Sequence, residues 1–458
     1  MTPILRNRIA QIRHGQVPKG YKKTRKGTIP VQWKVCMIGD IATVSSGSTP
    51  SRTTSRYWNG EIPWVTTGEL SEGCVMSTNE RISHKAIEDL KLKVYPVGTL
   101  LMAMYGQGKT RGTTAVLGID ATINQACAAI TVRYGLSQYL YYFLQSAYDD
   151  IRRLSNVGNQ ENLNADIIKT YPVILPPLAE QRKIAKILAT QDRVIELLNR
   201  KIEQLKLLKK YYLRKMFPQH GKAEPEVRFP GFTGAWEKHQ LGKIFKKNVE
   251  RNEGLIGFDK TISIASMTYN REGNGASEDS LSGYKVLRHG DVAFDGHTNK
   301  EFHYGRFVVN DLGDGIMSSR FSSLRPIDDI QIRFWKHYIH YEPIMGRLLV
   351  KATKAGTMMN ELVVPEFLHQ YLLLPSHAEQ KKIGKFFDDL DAKIALLRRQ
   401  HDEEVLKKKA LMQLLLTGIV RVRGVESGVG KQLPADRNLL ASGKQIRKER
   451  AKCRRIYQ

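Results

Sequence analysis

Cysteine is scarce and unpaired: Cys36, Cys74, Cys127 and Cys453 are scattered through 458 residues, and none forms a Cys-x-x-Cys pair. That excludes a disulfide framework and a zinc ribbon or finger, and it suits a reducing cytosol. Histidines give no ligand cluster either. His297 and His303 share a loop, but no Cys, Asp or Glu stands beside them at metal-ligand spacing. No apolar run approaches the roughly 20 residues needed to span a bilayer, and the first residues carry no apolar segment of the secretory type. Acid is short as well. Against 45 Asp plus Glu stand 72 Lys plus Arg, a formal charge of +27 and a pI near 9.8. An excess this large, spread through both halves, implies a polyanionic partner, with nucleic acid the first candidate.

What is present is a repeat. LPPLAEQRKIAKILATQDRVIELLNR, from Leu175 to Arg200, returns without a gap as LPSHAEQKKIGKFFDDLDAKIALLRR, from Leu374 to Arg399. A period near 200 residues is too long for a solenoid unit of about 20 to 50 residues; it is the size of a whole domain plus a connector. Each copy opens on proline, Pro176 or Pro375, which costs nothing in a first helical turn. Glu180 and Glu379 follow, where a carboxylate favours the positive end of the helix dipole. Ile184, Ile187, Val194, Leu198, Ile202 and Leu205 then recur at helical steps in the first copy, and Ile383, Leu390, Ile394 and Leu397 in the second. The pattern predicts one helix over Ala179 to Phe217 and another over Glu379 to Leu416, with Gly418 as a stop. Long helices with narrow apolar stripes pack against a partner, and the simplest partner for each is the other. Polar breaks at Lys201, His401 and Glu404 argue against one uniform coiled-coil register.

The repeat extends weakly into the preceding segments. Trp33, Gly39 and Ile41 are answered by Trp236, Gly242 and Ile244; VGTLLMAMYG from Val97 aligns with HGDVAFDG from His289, Gly112 with Gly305, and INQACAAITV with MSSRFSSLRP. These stretches, β-branched and aromatic but broken by Gly, Asn and Asp, read as short strands and loops. The expected class is therefore α+β: two strand-rich mixed α/β domains in pseudo-twofold repeat, each followed by a long helix. The segments are 1–26 (basic, with a short helix around Ile4 to Ile12), 27–174, the helix 175–218, 219–373, the helix 374–418, and a basic, disordered tail 419–458.

AMYGQGKT, Ala103 to Thr110, fits a relaxed phosphate-binding loop, but such a loop needs a helix directly after it. The RGTTAVLG that follows reads as turn and strand, so the basic loop is better spent on DNA. Reading DNA requires Arg, Lys, Asn, Gln, Ser or Thr on loops that reach base edges, with other cations on phosphates. In the first domain the candidates are Ser48, Thr49, Arg52, Arg56 and Tyr57, then Gln107, Lys109, Thr110 and Arg111, then Asn159 and Gln160. In the second they are His297, Thr298, Asn299, Lys300 and Arg306, then Ser319 and Arg320, then Lys351 and Lys354.

LPPLAEQRKIAKIL and LPSHAEQKKIGKFF, each closing a variable domain, together with IP…W…IGDIA and YWNGEIPWVT (Tyr57 to Thr66), closely resemble the specificity (S) subunit of type I restriction-modification systems. The resemblance covers nearly everything from Gly27 to Gly418. It implies two target recognition domains, each reading half of a bipartite, asymmetric double-stranded DNA site, joined by antiparallel helices that form a coiled-coil-like spacer. It also implies two adenine-methylating modification (M) subunits, carrying S-adenosylmethionine, docked on those helices, and restriction (R) subunits that use ATP and Mg. The S subunit itself is non-catalytic, and the system is cytoplasmic, bacterial or archaeal, and nucleoid-associated. The residues agree on catalysis: an adenine methyltransferase needs an Asn/Asp-Pro-Pro-aromatic loop, and the only double proline, Pro176-Pro177, is followed by Leu-Ala-Glu. The competing readings are a coiled-coil assembly protein or general DNA-binding scaffold, and a stand-alone nuclease or methylase.

Overall fold

Four strands recur at matched places in the two halves of the computed structural model, which describes residues 2–106, 108–154, 162–272 and 278–422. The chain divides into two units, one holding residues 1–197 and 401–458 and the other residues 198–400. In the first, β1 (Ala42–Ser46), β2 (Leu100–Ala103), β3 (Thr114–Leu117) and β4 (Cys127–Val132) lie in the order β1-β4-β2-β3, with the short strand Cys74–Val75 at the edge beyond β3. Their pairings are antiparallel, as in Ile130 opposite both Val44 and Leu100. In the second, β5 (Phe245–Lys247), β6 (Val292–Asp295), β7 (Arg306–Val309) and β8 (Ser322–Pro326) repeat that order as β5-β8-β6-β7, again antiparallel.

The central strands read as continuous apolar runs because both of their faces are covered. From β2 and β4, Leu100, Met102, Ala128 and Ile130 enter one core, while Leu101, Ala103, Cys127 and Ala129 enter another. Alternation along a strand sends successive side chains to opposite faces, so two cores leave no polar positions. In the second unit β6 sends Val292 and Phe294 to one core and Ala293 to another, whereas β8 carries Ser322, Ser323 and Arg325. In each half a strand near the start pairs with the strand just before the long helix: Lys34–Met37 with Pro172–Leu175, and Glu237–Gln240 with Tyr371–Leu374.

Two helices are long, α2 (Leu178–Met216) and α3 (His377–Leu416), and a shorter one, α1 (Pro3–Arg13), precedes the first unit's sheet. The long pair span 39 and 40 residues, within two positions of the sequence expectation at either end. Within the first unit Asp192 of α2 meets Lys408 of α3 at 2.6 Å, and Gln191 donates to the Glu404 carbonyl at 3.1 Å. Within the second, Ile202, Ile394 and Leu397 are buried with Leu198 and Leu205 packed against them, Lys209 meets Asp391 at 2.7 Å, and the Tyr212 and Phe386 rings lie 5.0 Å apart. The helices pair antiparallel: in the second unit Lys209 faces Asp391 and Tyr212 faces Phe386, and in the first Gln191 faces Glu404 while Glu180, earlier on α2, meets Arg421 beyond the end of α3. Ile184 and Ile383 are core residues, and Ile187 and Leu390 pack against the cores. Val194 departs from the expected stripe: it is 38% exposed, because the seam beside it is a polar step where Gln191 reaches Glu404.

Glu180 and Glu379 do more than face a helix dipole. Glu180 accepts from Trp33 Nε1 at 2.9 Å, from Arg421 Nε and Nη2 at 2.8 and 2.9 Å, and from the Val422 amide at 3.2 Å. Glu379 accepts from Arg228 Nε and Nη2 at 2.9 and 2.6 Å. Each long helix thus begins on a carboxylate clamped by the arginine that follows the other long helix. Ile419 to Val422 therefore belong to the folded first unit rather than to a disordered tail, held further by Arg8 Nη1 on the Ile419 carbonyl at 2.7 Å. The rest of the tail lies outside the described residues.

His337, buried in the second unit, has Nε2 3.1 Å from Asp388 Oδ1. Burial pulls its pKa below the ordinary 6.5 and outweighs the opposing pull of Asp388. The folded state holds the ring neutral, so its contribution to stability is full above pH about 6.5 and is lost as the pH falls from there through the depressed value. Denaturant unfolding of the second unit between pH 8 and 5 is expected to weaken with acid, and His337→Gln to flatten that slope; an unchanged slope would refute the assignment.

Candidate nucleic-acid interface

In the first unit the loop after β1 is pinned at its base. Gly47 lies so close to the Ile123 carbonyl that a Cβ would sit 1.9 Å from it, and Ser48 donates its amide to that carbonyl at 3.1 Å while accepting from Trp64 Nε1 at 3.1 Å. Ser48 is exposed, and the Thr49 hydroxyl donates to Gln125 Oε1, which puts the loop beside the turn before β4. Arg52 stacks on Trp58, 3.9 Å from the ring centroid, and forks onto Glu80. Glu80 is thereby held below the usual carboxylate range. Arg56 is more available: its side chain is 66% exposed and only 3.7 Å from Asp89, to which the Tyr57 hydroxyl also donates.

The loop between β2 and β3 is the second feature. Lys109 is exposed and Thr110 half-buried, and the Lys109 carbonyl is fixed by the Tyr148 hydroxyl at 2.6 Å. Arg111, expected in solvent, is instead buried at 9% exposure, its carbonyl facing Arg152; the turn through Gly112, whose φ is +83°, folds it under the loop. A strand, β3, follows where a phosphate-binding loop needs a helix. Gln107, Asn159 and Gln160 lie outside the described residues.

In the second unit three loops converge. His297 to Gly305 joins β6 to β7. Its neighbour, the segment after Ala352, is tied to it by the Asn360 amide on the Gly296 carbonyl at 2.9 Å, and the Ser318–Phe321 turn lies alongside, with the Phe321 ring 6.4 Å from that of His297. Thr298, Asn299, Lys300, Ser319, Arg320 and Lys354 are all exposed, Lys354 within 3.4 Å of Glu361; Lys351 is exposed too but, against expectation, sits in the last turn of the helix Glu342–Ala352 and not on a loop. Asn299 uses its side-chain oxygen inside the loop, accepting from the Glu301 and Phe302 amides at 2.8 and 3.0 Å. Arg306 is only 22% exposed and is tied to Asp295 and the Ala265 carbonyl. Among the described residues no group of three or more His, Cys, Asp or Glu could hold a metal ion.

A family model for the type I restriction modification DNA specificity domain matches this chain twice, over residues 30–207 and 236–407. The chain belongs to that family. The MjaIX specificity subunit of Methanocaldococcus jannaschii is 26% identical over 437 residues, covering 88% of this chain and 96% of its own length. The EcoR124I/EcoR124II specificity subunit of Escherichia coli is 26% identical over 196 residues, 41% of this chain and 48% of its own. The crystal structure of the S subunit from M. genitalium shares the fold, with a TM-score of 0.53, 16% identity, and coverage of 86% of this chain and 97% of that one.

For a type I specificity subunit the two matched domains are the DNA-recognition parts, and in both an exposed lysine, Lys109 or Lys300, stands on the loop between the matched strands β2–β3 or β6–β7. Sequence reading missed the residues that organise those loops. Gln125, exposed and bonded to Thr49, was signalled only by the Asn-Gln turn before β4. Glu80 and Asp295, the carboxylates that hold Arg52 and Arg306, carried no signal beyond their sign.

Proposed function

We propose that the two units each read one half of a bipartite, asymmetric site in double-stranded DNA, and that α2 and α3 recruit two adenine-methylating M subunits, with R subunits joining for cleavage. One observation carries the reading. The β2–β3 and β6–β7 loops leave equivalent places on equivalent sheets, yet one is Tyr-Gly-Gln-Gly-Lys-Thr-Arg and the other Gly-His-Thr-Asn-Lys-Glu-Phe-His-Tyr. A preserved frame with divergent basic loops suits two readers of unlike sequences whose separation is set by protein dimensions, as half-site spacing is in other dimeric DNA readers. The excess of 72 basic over 45 acidic residues supplies the phosphate-facing charge.

In this assignment the chain is the non-catalytic part of the complex. S-adenosylmethionine belongs to the M subunits, and ATP and Mg to the R subunits. Its place is the cytoplasm, on the nucleoid. A coiled-coil assembly protein would account for α2 and α3 but not for the charge.

The test is single-molecule methylome sequencing of a host expressing the chain with its M partner, with and without exchange of residues 27–174 for those of a relative. Methylated adenines in a split motif, one half altered by the exchange, are expected. Unchanged methylation, or none although the complex forms on DNA, would remove site choice from this chain.

A further inference from the structure

Arginine is the commonest direct reader of guanine because its guanidinium offers two parallel N–H donors. In the second unit one of the two candidate arginines, Arg306, has spent that fork. Arg306 directs Nε and Nη2 to Asp295 Oδ2, each at 3.4 Å, and Nη2 also to the Ala265 carbonyl at 2.9 Å. Its guanidinium carbon lies 5.5 Å from the Phe302 ring centroid. His297 shares the same carboxylate and has the opposite exposure. Its Nδ1 is 2.7 Å from Asp295 Oδ1 and its amide 3.2 Å from the same atom, while 59% of its side chain remains exposed.

We infer that His297 makes the base-edge contact of the second unit, with Asp295 and Arg306 as positioning residues. The inference rests on the two-reader proposal and deepens it. A carboxylate only accepts, so the proton shared with Asp295 sits on Nδ1, and Nε2 is the ring atom left to address DNA. In the neutral ring that atom accepts, which fits the amino group of adenine or cytosine in the major groove; in the imidazolium it donates, which fits guanine. The loop is built to hold the ring there. A Cβ on Gly296 would stand 1.9 Å from the Asn360 carbonyl oxygen, and one on Gly305, at φ +93°, would stand 2.7 Å from that of Asp295. The equivalent end of β2 in the first unit is Ala103, which offers no carboxylate. This anchoring is therefore peculiar to one reader.

The experiment uses the purified complex with its M subunits and duplexes in which each base pair of the recognised motif is changed singly. His297→Ala is expected to lose discrimination at one base pair of one half-site, on the order of 10- to 100-fold, with the other half-site untouched. Asp295→Ala should lose the same base pair and Asp295→Asn, which keeps an acceptor for Nδ1–H, should restore most of it. Arg306→Lys, which keeps a cation beside Asp295 but not the whole fork, should lose less at that same base pair than His297→Ala and nothing at the others. A His297→Ala complex with its full base profile, or an Arg306→Lys complex that alone loses a base, would overturn the inference. A wild-type complex that selects no bases in either half would instead sink the two-reader proposal, and this inference with it.

Discussion

A chain carrying Leu198→Asp together with Leu397→Asp is expected to lose its α2–α3 seam and, with it, recruitment of M subunits, while each strand-rich module keeps its fold. Leu397 is 7% exposed and packs with Ile202 and Ile394, at 5% and 7%, with Leu198 and Leu205 completing the cluster. Removing a buried leucine side chain costs about 2 to 5 kcal/mol, and leaving a carboxylate without a partner in its place adds several more. Against a domain stability of roughly 5 to 15 kcal/mol, the double change is enough to open this short seam. The sheet cores draw on other residues, Val292, Phe294 and Phe307 among them. Asp391→Asn is the control: its pair with Lys209 is partly solvent-facing, with side chains 40% and 23% exposed, and such pairs contribute about 1 kcal/mol at most. Hydrogen exchange along α2 and α3, read beside co-purification of M subunits, checks the expectation. Native protection and normal assembly in the double variant would mean that these leucines are not what holds the scaffold.

The long helices were legible because they are written in the most redundant code a sequence has, apolar residues at three- and four-residue steps behind a proline, stated twice. Val194 shows its limit: spacing says which face a residue is on, not that the partner helix offers Glu404 to Gln191 at that level. The sheets were legible through glycines. Gly98 and Gly290, at φ +89° and +91°, each enter a strand and bond across to the end of its neighbour, so their match located β2 and β6. Loop positions followed from these frames.

Which loop side chains are free did not follow. Whether an arginine reaches solvent depends on its folded surroundings: the Asp295 carboxylate for Arg306, Glu80 for Arg52, and for Arg111 the turn at Gly112. The tail misled for the same reason. Arg421 looks like one more cation in a basic stretch, and its partner is Glu180, 241 positions away. A signal did exist, since Val420-Arg421 after α3 echoes Val227-Arg228 after α2, but the repeat had to be followed past Gly418 to find it.

That echo sets up the second large effect. Arg421→Ala should destabilise the first unit by about 3 to 5 kcal/mol, the usual cost of stripping one partner from a buried ion pair. The Glu180 and Arg421 side chains are 4% and 14% exposed, and the loss leaves a carboxylate facing only Trp33 and one amide. Arg228→Ala should do the same to the second unit, where the Glu379 side chain is 1% exposed. A pH signature separates this from lost packing. Burial raises the Glu180 pKa, but hydrogen bonds from Arg421 and Trp33 outweigh it, and the net value lies below the ordinary 4.5. A carboxyl that binds its proton less well when folded contributes stability in full above pH about 4.5 and loses it as the pH falls through the lowered value. Unfolding of the first unit, followed by Trp33 fluorescence in a chain whose other tryptophans are replaced by phenylalanine, should therefore weaken in that window, and Arg421→Ala should remove most of the dependence. Cutting the chain after Gly418, which also removes the Val422 amide from Glu180 and the Ile419 carbonyl from Arg8, should cost more than Arg421→Ala. If instead Arg421→Ala stayed within about 0.5 kcal/mol of the parent, as an ordinary surface change would, the clamp would be ornamental and the start of α2 would owe its place to Trp33 and the core beneath it.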